Sequence, residues 1–149
     1  MIPLRDENPT RIVPLITYAL ILLNIIVFIF QTTLGAGEQE LVYRFALIPS
    51  RFTSGFSIGN LANILTSMFM HGGLAHIIGN MLYLWIFGDN VEDAMGKGRY
   101  LVFYILGGVT ASLAHIVTNP SSQIPTVGAS GAIAAVLGAY LVLYPQQRV

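Results

Sequence analysis

The chain has 149 residues, of which 54% are hydrophobic and 9% are charged, and its formal net charge is +0 at pH 7. Soluble domains carry about a quarter charged residues, so the composition excludes an ordinary soluble protein and indicates a single membrane domain. The balanced charge argues against a nucleic-acid partner, and the lack of cysteine excludes disulfides, thiol chemistry and thiolate metal sites.

The first long apolar run covers residues 13–30 and follows a short polar segment. Pro14 lies where a helix would begin, a position that tolerates proline, and about 18 apolar residues can span a bilayer. A cleaved signal peptide is the alternative, because small residues at 35–37 follow the run. The run is longer than the roughly 7–15 residues of a signal core, so we favour a retained first helix.

The long connection over residues 35–60 mixes apolar with charged side chains. Leu41 and Phe45 alternate there with Glu40 and Arg44, a pattern typical of a short amphipathic segment that lies in the membrane interface. We therefore expect this first loop to contact the lipid bilayer.

Three further apolar runs predict helices over residues 61–87, 100–117 and 130–144. A charged loop over residues 88–98 and an uncharged loop over residues 118–127 join them, and Pro145 stops the last helix. The expected fold is an all-α, polytopic membrane helix bundle with about four transmembrane helices and an interfacial first loop.

Basic residues are distributed unevenly between the segments that join these helices. The N-terminal segment, the second loop and the C-terminus contain Arg5, Arg11, Lys97, Arg99 and Arg148. The first loop contains Arg44 and Arg51. The positive-inside rule then places the N-terminus in the cytoplasm and the start of the fourth helix towards the outer face.

Polar side chains interrupt the second predicted helix. Intramembrane polar groups cost several kcal/mol when they are unsatisfied, so they normally face a bundle interior or a wet cavity. His76 and Asn80 are four residues apart and share one helix face. His71 lies about 140° away from His76 around the helix.

The segment Gly128-Ala129-Ser130-Gly131 opens the fourth helix. Ser130 there lies beside free backbone N–H groups and the positive end of the helix dipole, which can stabilise an oxyanion. Counted from the inner ends of their helices, Ser130 lies about 21 Å and His76 about 18 Å up, so we expect a buried serine that faces His76 and Asn80. Donors aimed at an oxyanion are worth roughly 3–4 kcal/mol each.

Plainer interpretations exist for these residues. Gly131, Ala135 and Ala139 form a small-residue stripe that can simply allow close helix packing, and an asparagine such as Asn80 is as often interhelical glue. His71 could bind a metal with its neighbouring histidine, but their spacing fits no zinc motif and no carboxylate is near, so no metal site is expected.

Two further polar residues, Asn24 and His115, are interpreted as structural, since neither has a partner within sequence reach.

Together these motifs resemble the rhomboid intramembrane serine proteases. The resemblance is carried by His71, His76 and Asn80 in an H-x4-H-x3-N pattern, by Gly88 and Glu92 in the next loop, by residues 128–131, and by the Phe45-Ala46-Leu47-Ile48-Pro49 stretch, which looks like bacterial members. The combination of the histidine and asparagine pattern with a later G-x-S-G is far more specific than either alone.

The resemblance implies a serine endopeptidase of a bacterial inner membrane that cleaves transmembrane or membrane-anchored proteins within or near the bilayer. By position, Ser130 would be the nucleophile, and His76 and Asn80 would form the oxyanion hole with the Ser130 amide. His71 would be structural near the site, where Gly128 and Gly131 also lie. No metal or organic cofactor is implied.

The chain departs from the family in one respect. Rhomboids are similar in having at least six helices, with the general-base histidine on the sixth, whereas residues 1–149 end after the fourth. Ala114 and His115 look like the base motif, but Thr110 and Thr118 replace its flanking glycines. We therefore predict a truncated domain that is nearly inactive alone, because losing one member of a serine catalytic group costs about 10⁴ in rate.

Two other functions stay open. The first is a non-catalytic rhomboid-like protein that binds transmembrane client helices, against which the presence of Ser130 with His76 and Asn80 argues. The second is a channel or transporter, but the predicted spans hold no charged residue and no second matching half.

Overall fold

The computed structural model describes residues 8, 10–55 and 57–147, which form seven α-helices. These are α1 (Leu15–Thr33), α2 (Glu38–Phe45), α3 (Ser50–Thr53), α4 (Ile58–Thr66), α5 (Leu74–Met95), α6 (Lys97–Thr118) and α7 (Ser130–Leu143). Within the described ranges, the one strand-like pairing is an antiparallel bridge between Leu47 and Thr126. The predicted all-α class is confirmed.

The helices differ in how far they could cross a membrane. α1 and α6 are long and apolar enough by themselves, and α4 with α5 makes a third candidate if its two halves, bent by 79°, form one span. α7 is apolar but has only 14 residues, in keeping with the short last helix predicted before Pro145. The chain is therefore a membrane helix bundle.

The single helix predicted over residues 61–87 is wrong. α4 ends in a 3₁₀ turn (Ser67–Phe69), residues 70–73 are not helical, and α5 begins at Leu74. Met70 is extended, with φ −90° and ψ 153°, and two glycines follow His71 before α5 begins. Glycine is among the poorest helix formers, so the break falls where helix propensity is lowest.

The loop predicted over residues 88–98 is also wrong, because α5 continues to Met95 and Gly96 alone turns the chain into α6. Gly96 has φ +77°, a conformation that glycine adopts without a Cβ penalty. The charged residue Glu92 is fully buried, and its carboxylate accepts hydrogen bonds from the N–H groups of Ile16 (3.0 Å) and Thr17 (2.8 Å). It thereby satisfies donors that the start of α1 leaves free.

The core lies where α5, α6 and α7 pack together with α1. It is centred on the buried rings of Tyr100, Tyr104 and Tyr140. Small residues bring α6 and α7 close: a Cβ on Gly131 would lie 2.5 Å from that of Ala111. The packing interpretation of Gly131 is therefore confirmed, since any side chain there would push the helices apart.

The first loop contains α2 and α3, so the predicted amphipathic segment is helical. Residues 46–48 are buried, and Leu47 pairs with Thr126 through two backbone hydrogen bonds of 3.1 Å and 2.8 Å. This pairing ties the first loop to the segment that leads into α7.

Candidate active site at the start of α7

Ser130 is the first residue of α7. The first bond of that helix runs from the Ile133 N–H to the Ala129 carbonyl at 2.9 Å, and the N–H groups of Ser130 and Gly131 donate to no other described residue. These donors are the unpaired backbone groups that a helix N-terminus presents, and the helix dipole adds partial positive charge beside them. The start of α7 can therefore receive an anionic oxygen.

The Ser130 side chain is exposed, which corrects the expectation of a buried serine. It lines a cavity of about 180 Å³ whose walls come from the 3₁₀ turn after α4, from α6 and from the start of α7. No described residue forms a hydrogen bond with its hydroxyl. The hydroxyl is thus accessible from outside the described helices.

His76 and Asn80 lie on one face of α5 and contact the backbone of Gly128. A Cβ on Gly128 would lie 2.7 Å from His76 Nε2 and 3.6 Å from Asn80 Nδ2, and its φ of +128° is one that side chains rarely allow. Glycine suits this position because a side chain would be strained at this φ and would crowd the His76 ring, whereas Asn80 lies at an ordinary contact distance. The structure thus brings the two predicted oxyanion residues to the segment that carries Ser130.

His71 is fully buried behind this contact. Its ring meets the His76 ring edge-to-face, with 5.2 Å between centroids, and neither of its ring nitrogens has a hydrogen-bond partner among the described residues. Gln31 of α1 holds its backbone, since Oε1 accepts from the His71 N–H at 3.1 Å and Nε2 donates to its carbonyl at 3.2 Å. His71 therefore packs behind His76 and is itself fixed by α1.

Gln31 escaped the sequence analysis because the predicted first helix ended at residue 30. The signal available in the sequence was the single amide side chain of Gln31, directly after the apolar residues 25–30. Asn24 on the same helix donates through Nδ2 to the Leu20 carbonyl at 2.7 Å, four residues away, which corrects the expectation that it has no partner within sequence reach.

His115 has partners, which corrects the expectation that it has none within reach. Its Nε2 lies 3.0 Å from Thr126 Oγ1 and its Nδ1 lies 3.3 Å from Asn119 Nδ2. It also lines the cavity beside Ser130, as do Ser67 and Ser112. Sequence reasoning missed this cluster because the loop that carries Thr126 folds back onto the end of α6.

A bundle of apolar helices with polar residues gathered at one end of α5 defines an integral membrane protein with an internal polar site. A family model described as the Rhomboid domain matches residues 58–149. The chain belongs to the rhomboid family.

Curated relatives agree with that assignment. The chain is 36% identical over 129 residues to "Rhomboid protease GluP" of Bacillus subtilis, and the aligned region covers 86% of this chain and 24% of that protein. It is 27% identical over 131 residues to "Putative rhomboid protease YdcA" of the same organism, covering 88% and 63%. It is 32% identical over 83 residues to "RHOMBOID-like protein 5" of Arabidopsis thaliana, covering 56% and 27%. The chain thus spans less than two thirds of the length of each of these relatives.

Proposed function

We propose that this protein is a serine-type endopeptidase that cleaves membrane-anchored proteins within or near the bilayer, with Ser130 as the nucleophile. The observation that carries the proposal is the convergence of His76 and Asn80 on Gly128, two residues before a serine at a helix N-terminus. Family membership and the names of the relatives point in the same direction.

The chemistry follows from the donors around the serine. Ser130 Oγ attacks the carbonyl carbon of the scissile peptide bond, and the carbonyl oxygen becomes an oxyanion. The Ser130 N–H and the Asn80 amide can donate to that oxygen, and Asn80 Nδ2 is buried without a hydrogen-bond partner among the described residues. A His76 ring N–H is the third donor. Each aimed donor is worth about 10²–10³ in rate.

The proton on the serine needs a separate acceptor. A serine hydroxyl is a weak nucleophile near neutral pH unless a base within hydrogen-bond reach removes its proton. Among the described residues no side chain is hydrogen-bonded to Ser130, so the base must approach the exposed side of the serine. The peptide leaving group takes up that proton, and water then hydrolyses the acyl-enzyme.

Labelling with a fluorophosphonate probe tests this proposal. We expect the probe to modify Ser130 slowly in the 149-residue chain, and to modify it up to about 10⁴-fold faster in a version extended by two helices that supply a histidine base. Ser130→Ala should abolish labelling in both forms. Equal, fast labelling of both forms would show that the base lies within these residues, and labelling that survives Ser130→Ala would overturn the assignment of the nucleophile.

The second candidate is a non-catalytic rhomboid-like protein that binds transmembrane client helices. The observation in its favour is the unpartnered Ser130 hydroxyl among the described residues. Photocrosslinking of a transmembrane peptide to the extended form, with no cleavage product and no probe labelling, would favour this binding function over proteolysis.

We further propose that the protein lies in a bacterial inner membrane with its N-terminus in the cytoplasm, on the distribution of Lys and Arg. The chain lacks cysteine, so a single Thr10→Cys variant reports directly on orientation. Its labelling in intact cells by an impermeant maleimide would contradict the proposed orientation.

A further inference from the structure

The imidazole of His115 connects the end of α6 to the loop that leads to Ser130. It lines the Ser130 cavity and lies 3.0 Å from Thr126 Oγ1 and 3.3 Å from the Asn119 side-chain nitrogen. We assign the ring proton to Nε2, the tautomer in which Nδ1 accepts from the amide of Asn119, since an amide nitrogen can only donate. In that tautomer the Nε2–H group donates to the hydroxyl oxygen of Thr126.

Thr126 is the residue at which several constraints on this loop meet. Its backbone pairs with Leu47 of the first loop, and two residues later the Gly128 N–H donates to the Ser67 carbonyl at 2.9 Å. The bond from His115 is the side-chain constraint, and it joins Thr126 to α6. Only the residues 127–129 separate this anchored position from Ser130.

We propose that His115 is a positioning residue for Ser130: its hydrogen bond to Thr126 fixes the segment 126–129 against α6 and so aims the Ser130 hydroxyl and N–H into the cavity. The inference rests on the proposed function, because it takes Ser130 to be the nucleophile. His115 does not serve as the base in this arrangement. Its one free lone pair, on Nδ1, accepts from Asn119, and its proton is directed at Thr126.

A packing role for the same ring makes different predictions. His115→Phe keeps an aromatic ring and removes the donor, whereas His115→Gln keeps an N–H donor and removes the ring. Thr126→Val keeps the shape of the side chain and removes the acceptor, whereas Thr126→Ser retains the hydroxyl. If the hydrogen bond positions Ser130, His115→Phe and Thr126→Val must both slow the reaction of Ser130, whereas His115→Gln and Thr126→Ser must leave it close to the wild-type rate.

The experiment measures the rate of fluorophosphonate labelling of Ser130 against probe concentration in the version extended by two helices, in which fast labelling is expected. We expect His115→Phe and Thr126→Val each to lower the maximal labelling rate about tenfold, the equivalent of one hydrogen bond, with the half-saturating concentration unchanged. The double variant should be no slower than the slower single variant, because both changes remove the same bond. His115→Gln and Thr126→Ser should stay within about threefold of wild type.

Thr110→Val is the matched control, since Thr110 is an exposed residue on α6 with no side-chain hydrogen bond to the described residues. It should label like wild type. The proposal would be overturned in favour of packing by either of two results. One is a double variant whose loss of labelling rate is the product of the two single losses, and the other is near wild-type labelling in His115→Phe with slow labelling in His115→Gln.

Hydrogen–deuterium exchange gives a readout that does not depend on chemistry at Ser130. The amides of Thr126 and Gly128 should exchange about tenfold faster in His115→Phe and in Thr126→Val than in wild type. Unchanged exchange would overturn the positioning role even if labelling fell. Faster exchange in the two variants, together with no labelling of Ser130 even in the otherwise unaltered extended form, would show that the tether exists and that the proposed protease function is wrong.

Discussion

The two ends of α5 place buried polar groups in opposite situations. At its C-terminal end, Glu92 is fully buried and accepts from two backbone N–H groups and from the Thr17 hydroxyl, at 2.8–3.0 Å. In its first two turns and in the turn that precedes it, Asn80 Nδ2 and both ring nitrogens of His71 are buried with no partner among the described residues. The buried carboxylate at the C-terminal end is hydrogen-bonded, whereas polar nitrogens near the N-terminal end are not.

This difference distinguishes polar groups that stabilise the fold from groups left available to a ligand, and Asn24 Oδ1 and Tyr104 Oη, away from the site, are also buried without a partner among the described residues. Unsatisfied polar groups are costly in a medium of low dielectric, so a structure that retains them usually holds them for a ligand or a reaction. Groups that are already satisfied stabilise the fold. Three substitutions test this comparison.

The largest effect is expected for Glu92→Ala. A buried and a part-buried N–H group at the start of α1 would lose their acceptor, at about 1–3 kcal/mol each, and a cavity would form, so the free energy of unfolding should fall by about 3–5 kcal/mol. Equilibrium unfolding in detergent micelles measures this. Asp93→Ala is the control, because its carboxylate accepts one exposed bond, from the Arg11 N–H, and should change stability by less than about 1 kcal/mol. Equal losses of stability in Glu92→Ala and Asp93→Ala would show that the buried hydrogen bonds of Glu92 do not stabilise the fold more than an exposed bond does.

Two buried asparagines provide the second test. Asn80→Leu should lower the rate of Ser130 labelling by about 10²–10³ and leave stability within about 1 kcal/mol, since its amide nitrogen has no partner among the described residues. Asn63 Nδ2 donates to the carbonyls of Arg44 and Ala46, both at 3.1 Å. Asn63→Leu should therefore lower stability by about 1–3 kcal/mol instead. If Asn80→Leu behaved like Asn63→Leu, Asn80 would be interhelical glue.

The smallest effect is expected for Gln31→Leu, which removes both bonds to the His71 backbone. Stability should fall by about 1–2 kcal/mol and Ser130 labelling by about tenfold, because His71 packs against His76 at the site end of α5. Thr32→Val on the same helix is the control, since among the described residues the Thr32 hydroxyl bonds only to the carbonyl of Ile29. Stability loss with unchanged labelling would show that α1 does not help to position the site.

The presence of the apolar helices, and the position of His76 and Asn80 on one helix face near the segment that carries Ser130, could be predicted from the sequence. The apolar run before Pro145 ends α7 within one residue of the prediction, because proline cannot continue a helix. His76 and Asn80 were expected on one face, since a spacing of four residues fixes that in any helix, and the structure places both against Gly128. The roles of Ser130, His76 and Asn80 stay predictions.

Other features depended on contacts between distant segments. Residues 88–98 carry charges typical of a loop, yet they remain largely helical because the start of α1 supplies partners for Glu92. His115 was taken to be isolated, and Thr126 becomes its partner only when the loop after α6 folds back. Ser130 was expected to be buried and is exposed. Depth along a helix does not determine which side chains surround a residue.

The apolar segments, the family resemblance and the candidate oxyanion residues could be predicted from the sequence, because they depend on composition and on spacing along one helix. Which polar groups are hydrogen-bonded became clear only from the packing of the helices. The side chains of Glu92 and Gln31 find partners some 40 to 76 residues away along the chain, whereas the amide nitrogen of Asn80 and the ring nitrogens of His71 find none among the described residues. Hydrogen-bond satisfaction depends on which segments pack together, and the pattern of a single segment does not contain that information.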